Sequence, residues 1–191
     1  MRGPSVVSAI LSALLAVALA SPAVASTEGL ESSETTVTRP MEAVGFDEEV
    51  ANANGYRIVT APDGTQRSVK VGGTGKGAAE TLGTVTGNCG LSSITMVGQS
   101  GGKMRIVTGF NLNNAAVQYG WTANYADLFG GQTKSWSGVL LSRPRWAVEH
   151  TFSGRGNGFG TVGVTTSSYA VLVNGTICLS GGPTARAEIR P

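Results

Sequence analysis

Apolar and polar residues alternate with a period of two in several parts of this chain. The alternation is clearest over residues 117–122, 145–152 and 185–190. Successive side chains of an extended strand point to opposite faces, so this pattern predicts strands with one face in a core. No internal repeat of the kind found in propellers or solenoids accompanies it. These segments therefore predict ordinary packed sheets.

A hairpin is expected over residues 169–179, which are interrupted by a central Asn-Gly pair. Asn-Gly accepts the positive φ values of a type I′ turn, which joins two strands through two residues. That turn would set Leu172 opposite Ile177, and Val171 opposite Cys178. Both faces of the hairpin would then be largely apolar, so we expect it inside the sheet system with a disulfide beneath it.

A short helix followed by a second hairpin is expected earlier in the chain. Asp47 can cap the helix, the two glutamates after it favour a helix N-terminus, and Gly55 can end it. Residues 56–60 and 66–71 flank a Pro-Asp-Gly turn, which is typical of a hairpin. A glycine-rich connector follows this hairpin.

Short strands, little helix and one long-range pair of cysteines predict a mainly β fold. We expect an antiparallel β-sandwich or barrel-like domain with one disulfide and a short N-terminal helix. The 28 glycines and the low charged fraction of 14% favour many turns rather than long helices. We assign residues 82–191 to this domain and residues 47–81 to the helix, hairpin and connector.

The first 25 residues are typical of an export signal. Arg2 supplies the positive start, residues 6–19 form an apolar run, and Ala-Val-Ala at 23–25 fits the small-x-small site of signal peptidase. No later stretch is apolar enough to predict a membrane helix. We therefore expect a secreted, extracellular protein that has no membrane attachment after cleavage.

Charge is distributed unevenly along the remaining chain. Residues 26–50 hold seven acidic residues against one arginine, whereas residues 51–191 hold twelve Lys or Arg against five acids. The acidic part could shield a basic domain, but its Ser, Thr and Glu content favours a disordered leader over residues 26–46. The basic residues are scattered without interleaved aromatics, so nucleic-acid binding is not indicated.

The two cysteines, Cys89 and Cys178, are expected to form a disulfide. An isolated pair in an oxidising compartment favours a disulfide over a metal or redox site. No C-x-x-C motif and no cluster of His and Cys surrounds either residue, so a structural zinc site is not expected. Two free buried thiols are the alternative. The bridge would be structural and would not identify a substrate.

His150 is the only histidine, so any histidine-dependent catalysis must use it. Its neighbour Glu149 would point to the opposite face of a strand and would not pair with it. A catalytic triad would need an acid to orient the ring and a serine to be activated. His150 shares a face with Trp146 and Phe152, which favours a packed histidine instead.

A carboxylate mechanism is the second catalytic hypothesis. Asp127 is its best candidate, because it lies in an expected loop over residues 124–129, although an ordinary solvated loop acid is the preferred interpretation. The glycines at 158–163 match a dinucleotide fingerprint, but that motif needs a strand before it and a helix after it. Residues 161–166 are strand-like, so no cofactor is expected, and residues 154–160 are interpreted as a flexible loop.

Aromatic residues cluster in sequence around a Gly- and Asn-rich stretch and suggest a binding surface. Aromatic faces on a rigid scaffold can stack against sugars or anchor a protein partner. Trp121 fits the core stripe. Trp136 and Tyr125 lie beside the expected loop and are the candidates for exposed binding residues. The alternative is that all these aromatics fill the core.

Three stretches resemble a group of small secreted proteins from Streptomyces and related actinobacteria. They are GFDEEVANANGYRIVTAPDGTQRSVKVG, GNCG at 87–90 and NGTICLSGGP at 174–183. Members of this group share a short helix, a hairpin and two such cysteines. The resemblance implies a bacterial, exported protein, and it implies no catalytic or binding residues.

The leading functional hypothesis is a secreted, non-catalytic binding domain whose extracellular partner is an envelope polysaccharide or another protein. A small secreted hydrolase using His150 or Asp127 is the alternative. A third possibility is a secreted inhibitor or effector with a protruding loop at 124–133 or 154–160. The hydrolase hypothesis requires a polar partner for one of those residues, whereas the binding hypothesis requires exposed aromatics on one face.

Overall fold

The computed structural model describes residues 34–72, 81–84, 88–154 and 157–190. Within them most residues belong to strands, which confirms the mainly β prediction. The elements are β1 Thr35–Phe46, α1 Glu48–Ala53, β2 Tyr56–Thr60, β3 Gln66–Lys70, β4 Thr81–Thr84, β5 Asn88–Gln99, β6 Lys103–Asp127, β7 Gly130–Ser153, β8 Gly158–Val164, β9 Tyr169–Leu172, β10 Thr176–Ser180 and β11 Thr184–Ile189.

Five antiparallel strands close a barrel in the order β6–β5–β1–β10–β9, and β9 returns to pair with β6. The strand β6 makes this closure possible because it is 25 residues long and bends. Its first part pairs with β5 up to Leu112, and a later part pairs with β9 from Ala116 to Gly120. The ladder between β6 and β7 shifts register between Asn111 and Ala116, at the bend.

Further strands extend the barrel on either side of β6. The strand β8 pairs with the last part of β6 through Ala123–Ala126, and β11 adds to β8. The strand β7 follows the other edge of β6 over nearly its whole length, forming one long ribbon with it. Alternate residues of β11 are buried, as its sequence pattern predicts. A separate small sheet contains β2, β3 and β4.

The core is formed by the alternate side chains that the period-two pattern selects. It includes Ile94 and Met96 from β5, Ile106 from β6, and Ala187 from β11, all of which are nearly or fully inaccessible to solvent. Trp121 belongs to this core, as expected, with an exposed fraction of only 1%. The closed, antiparallel arrangement therefore has one continuous hydrophobic interior.

The predicted disordered leader at 26–46 is wrong for Thr35–Phe46, which form the strand β1. This strand lies between β5 and β10, and Met41 is completely buried. The acidic character misled the prediction because Glu42 is exposed directly beside the buried Met41. The main domain therefore does not begin at residue 82, since the barrel needs β1. Residues 26–33 of the predicted leader lie outside the described residues.

The short helix and its hairpin are confirmed. Asp47 accepts a hydrogen bond from the Val50 backbone N–H at 2.9 Å and so caps α1. Gly55 follows the helix with a φ of 78°, and β2 pairs antiparallel with β3. The buried hydroxyl of Ser68 donates a 2.7 Å hydrogen bond to the Asn174 carbonyl, which ties the small sheet to the β9–β10 turn.

The β9–β10 hairpin is confirmed, but its predicted register is wrong by one residue. Val171 lies opposite Ile177, and Ala170 lies opposite Cys178. The turn has three residues rather than two, with a positive φ only at Gly175, so it is not a type I′ turn. A Cβ on Gly175 would collide with the Asp47 carbonyl oxygen and with Ala51, so the helix docks on this glycine.

The disulfide between Cys89 and Cys178 is present and joins the start of β5 to β10. Cys178 is fully buried, which confirms the expectation that the bridge lies beneath the hairpin. The flexible loop predicted for residues 154–160 is wrong at its end, because Gly158–Gly160 already belong to β8 and Gly160 is buried.

Replacing Met41 by Ala should lower the free energy of unfolding by about 2–5 kcal/mol, because it empties a fully buried site in β1. Glu42→Ala, at the exposed neighbouring position, should change it by less than about 0.5 kcal/mol. Urea unfolding measures both. Equal midpoints for the two variants would contradict the structural role of β1.

Removing the disulfide by Cys89→Ala with Cys178→Ala should destabilise the fold by about 4–5 kcal/mol, because the bridge restricts an 89-residue loop in the unfolded chain. The check is urea unfolding of the oxidised wild type, the reduced wild type and the double variant. Reduced and oxidised protein with the same midpoint would show that the bridge does not stabilise the fold.

Candidate functional site

The β6–β7 ribbon folds back on itself, and one buried hydrogen bond joins its two halves. The indole N–H of Trp121, after the bend in β6, donates to the Thr108 hydroxyl before the bend at 3.0 Å. The same hydroxyl donates to the Ser93 carbonyl of β5 at 2.9 Å. These two hydrogen bonds therefore link both halves of β6 to each other and to β5.

A cluster of aromatic rings fills the inside of this bend, which we call the crook. Tyr119 and Trp146 are the closest pair, with ring centroids 4.3 Å apart. Edge-to-face and offset arrangements of this kind add about 0.5–1.5 kcal/mol per pair beyond burial. The rings that meet in the crook are those of Phe110, Tyr119, Trp121, Trp136 and Trp146.

A shallow groove of about 410 Å³ opens beside this cluster, across the sheet formed by β1, β5, β6 and β7. Thr38, Ser93 and Ala147 belong to one row of cross-strand neighbours that is completed by Gly109. These side chains are all small, and the row crosses four strands, or roughly 14 Å. The groove is lined by Thr38, Leu91, Ser93, Phe110, Asn111, Arg145, Trp146 and Ala147.

Gly109 allows the β7 backbone to approach β6 closely at the groove. A Cβ at this position would collide with the carbonyl oxygen of Trp146 and with the Ala147 Cα. Phe110 and Trp146, which face each other in the ladder, are thereby brought together at the groove. An alanine at 109 would force the strands apart, so this glycine determines the shape of the site.

The larger side chains of the groove form a second row beside the small one. Leu91, Asn111 and Arg145 are cross-strand neighbours on β5, β6 and β7. Leu91 keeps 44% of its surface exposed. The Arg145 Nε–H donates to the Asn111 Oδ1 at 2.9 Å, so the guanidinium and the amide are aligned. The groove thus combines apolar surface with planar hydrogen-bonding groups and hydroxyls.

The expected exposure of Tyr125 is wrong. Its side chain is only 2% exposed and stacks on Phe152 with ring centroids 5.3 Å apart. The expected loop at 124–129 does not exist as such, because β6 continues to Asp127 and turns directly into β7. Tyr125 therefore falls on the inward-facing side of the strand, like Trp121. The structure does not present its ring to a ligand.

Trp136 lies in the crook and is half-buried. Its ring meets Trp146 at 6.3 Å and His150 at 5.8 Å between centroids, both edge-on. It pairs across the ladder with Trp121. Trp136 is therefore partly exposed to solvent, whereas an exposed side chain was expected. It does not line the groove, whose aromatic residues are Phe110 and Trp146.

His150 is packed against aromatic rings rather than against polar groups. Trp136 and Phe152 both contact it edge-to-face, the latter with centroids 4.7 Å apart. Burial, and to a smaller extent the charge of Lys134, lowers the pKa of His150 below its ordinary value of 6.5. No side chain of the described residues forms a hydrogen bond with it, so the geometry supplies neither an orienting acid nor a serine.

The acids near these residues have structural partners. Glu149 pairs with Arg105 at 3.1 Å on the opposite face of β7 from His150, as expected. Asp127 accepts hydrogen bonds from the Tyr125 hydroxyl at 2.9 Å and from the Phe129 backbone N–H at 2.8 Å. Desolvation, followed by this contact with Asp127, raises the pKa of Tyr125. Asp127 thus stabilises the β6–β7 turn, beside a small cavity of about 70 Å³.

The two segments suggested as protruding inhibitor loops differ in what the structure describes. Residues 124–133 form strand, tight turn and strand, with Leu128 exposed at the tip. Residues 155 and 156 lie outside the described part of the chain, and Gly158 begins β8.

The described part of the chain holds no group of three or more His, Cys, Asp or Glu side chains arranged to bind a metal ion. It also contains no helix of the length and hydropathy needed to cross a bilayer.

Sequence analysis did not identify the groove residues Arg145 and Asn111. Little in the sequence indicated that these two residues form a site, because each is an ordinary polar residue at an outward position of a strand. Only the register of β5, β6 and β7 brings them together with Leu91. A long hairpin centred on residues 127–130 would have indicated that pairing, but those residues were interpreted as part of a loop.

Comparison with known proteins adds no assignment. No protein-family model, no curated protein and no solved structure matches this chain. Any functional conclusion therefore depends on the geometry of the molecule.

The single histidine gives a direct test of the crook. His150 should titrate by NMR with a pKa below 6.5, and Lys134→Met should raise that pKa towards 6.5 by removing a nearby positive charge. The folded state then holds the proton less tightly than the unfolded chain. The free energy of unfolding should therefore fall as the pH drops from about 6.5 through the lowered pKa.

The control for this measurement is Lys103→Met, which removes a lysine from β6 whose cross-strand neighbour is Ser153 rather than His150. It should leave the His150 titration unchanged. A His150 pKa at or above 6.5 in the wild type would contradict the packing described for the crook.

Proposed function

We propose that this chain is a secreted, non-catalytic binding protein that holds an envelope polysaccharide in the groove between β1 and β7. The groove is the observation that carries the proposal. Its lining comes from four neighbouring strands and includes both apolar and hydrogen-bonding side chains. An extended polymer can lie across such a shallow surface.

The lining supports a sugar rather than a purely apolar ligand. Sugars offer C–H faces that pack against aromatic and aliphatic surface, here Trp146 and Leu91, together with hydroxyls that need donors and acceptors. The Asn111 amide, the Arg145 guanidinium and the Ser93 hydroxyl supply these at the same groove. Because the groups lie on paired strands, little side-chain and backbone freedom is lost on binding.

Two observations favour binding over catalysis in this proposal. Aromatic rings surround His150, and no described side chain forms a hydrogen bond with it. The Asp127 carboxylate accepts hydrogen bonds from Tyr125 and Phe129 within the β6–β7 turn. Neither His150 nor Asp127 lines the groove. A disulfide that joins β5 to β10 suits a protein working in an oxidising, extracellular medium.

The test is co-sedimentation of the oxidised mature protein with cell walls, chitin and cellulose. Wild type should be retained on at least one polymer, and Ala147→Gln should weaken retention about tenfold or more, because the longer side chain fills the floor of the groove. Ala147 is exposed, so the variant should keep the urea midpoint of the wild type.

The matched control is Thr151→Gln, which adds a similar side chain at an exposed position on the same face of β7, outside the groove. It should bind like the wild type. A Trp136→Ala variant tests the crook as the competing surface. Loss of binding in that variant alone would overturn the assignment to the groove, and no retention on any polymer would refute the polysaccharide.

A further inference from the structure

Arg145 is the charged group of the groove, and its orientation is restrained. Its Nε–H is used by the Asn111 Oδ1 at 2.9 Å, which fixes one edge of the planar guanidinium. The donors on the two Nη atoms remain, and a guanidinium in this state can still present them end-on to a planar group. No described side chain forms a salt bridge with Arg145.

None of the described acids neutralises this site. No Asp or Glu among the described residues lines the groove. The nearest acid along the outward face of β7 is Glu149, four residues and about 13 Å further along the strand. Its carboxylate already pairs with Arg105 at 3.1 Å. A positive charge beside apolar surface therefore lacks an anionic partner within the described residues.

We infer that the groove selects an acidic polysaccharide, in which a uronic acid residue places its carboxylate against the two Nη atoms of Arg145. This inference rests on the proposed function and names the class of its ligand. Arginine and a carboxylate match in shape and charge, and two parallel N–H···O bonds make the pair both strong and directional. A neutral hydroxyl carries no charge and offers a single oxygen, so it cannot form this pair of parallel charge-assisted bonds.

The neighbouring residues suit such a ligand. Asn111 uses its Oδ1 towards Arg145, which leaves its amide N–H groups for a sugar hydroxyl or ring oxygen. Leu91 and Trp146 line the same groove and can pack against the C–H surface of the sugar ring. The carboxylate therefore specifies the residue, and the apolar surface supports its ring.

The experiment compares each acidic polymer with the same polymer after reduction of its carboxyl groups. Polygalacturonate, alginate and hyaluronan are titrated into the oxidised wild type, and so are their carboxyl-reduced forms. At least one acidic polymer should bind about tenfold more tightly than its reduced form, because a charge-assisted pair is replaced by a neutral contact. Arg145→Gln should abolish this preference, and Arg145→Lys should restore only part of it.

The matched control is Arg143→Gln, which removes an equal charge two positions away on β7 but outside the groove. It should keep the full preference. If Arg143→Gln weakens binding as much as Arg145→Gln, or if dextran sulfate competes equally well, the site is a general polyanion surface and the inference is wrong.

The outcomes separate this inference from the proposed function. Equal binding of acidic and reduced polymers, or binding of chitin or cellulose alone, overturns the carboxylate site and leaves a polysaccharide-binding protein. The absence of binding to every acidic and neutral polymer refutes the proposed function and the inference together.

Discussion

The bend of β6 is the constraint on which the rest of the molecule depends. A straight strand could pair with β5 or with β9 on the same edge, but a closed ring requires one strand to pair with both. The buried hydrogen bond from Trp121 to Thr108 holds the two parts of β6 together across the bend. Leaving that indole N–H without an acceptor would cost about 1–3 kcal/mol, a large part of the stability of a domain this size.

The candidate site follows from the same bend. The strand β7 pairs with β6 both before and after the bend. The aromatic side chains of this ribbon therefore point into the crook, and the alternate side chains point to the outer face. Phe110 and Trp146 are among these aromatic side chains, yet the close approach at Gly109 also lets them line the groove. The core and the groove therefore share residues, so the groove has little freedom to deform.

Strand identity and the pairing within the two short hairpins could be predicted from the sequence, and the pairing of the other strands could not. The alternation over residues 145–152 identified the buried face of β7, including the packed His150, because burial acts directly on each side chain. Tyr125 was misplaced because its apolar stripe continues through a Gly- and Asn-rich stretch that is also typical of a loop. Turn geometry at Gly175 was misjudged by one residue, since docking of α1 on that glycine is a tertiary contact.

The groove could not be predicted from the sequence for a related reason. Leu91, Asn111 and Arg145 become neighbours only through the registers of two ladders, and register depends on distant packing. Composition also misled at β1, where acidic residues at exposed positions concealed the buried Met41. Local chemistry thus indicates which face a residue occupies, whereas the site depends on which strands meet.

The place of β1 in the barrel has a consequence for how the chain reaches its native state. This strand is the first of the described elements, and it completes the ring by pairing Met41 with Ser180, near the other end of the chain. Contacts between residues so far apart in sequence are formed late and slowly, because the loop between them must first be closed. Synthesis from the N-terminus therefore delivers β1 well before its partner β10 exists. The ring of strands therefore cannot close until β9 and β10 have been synthesised.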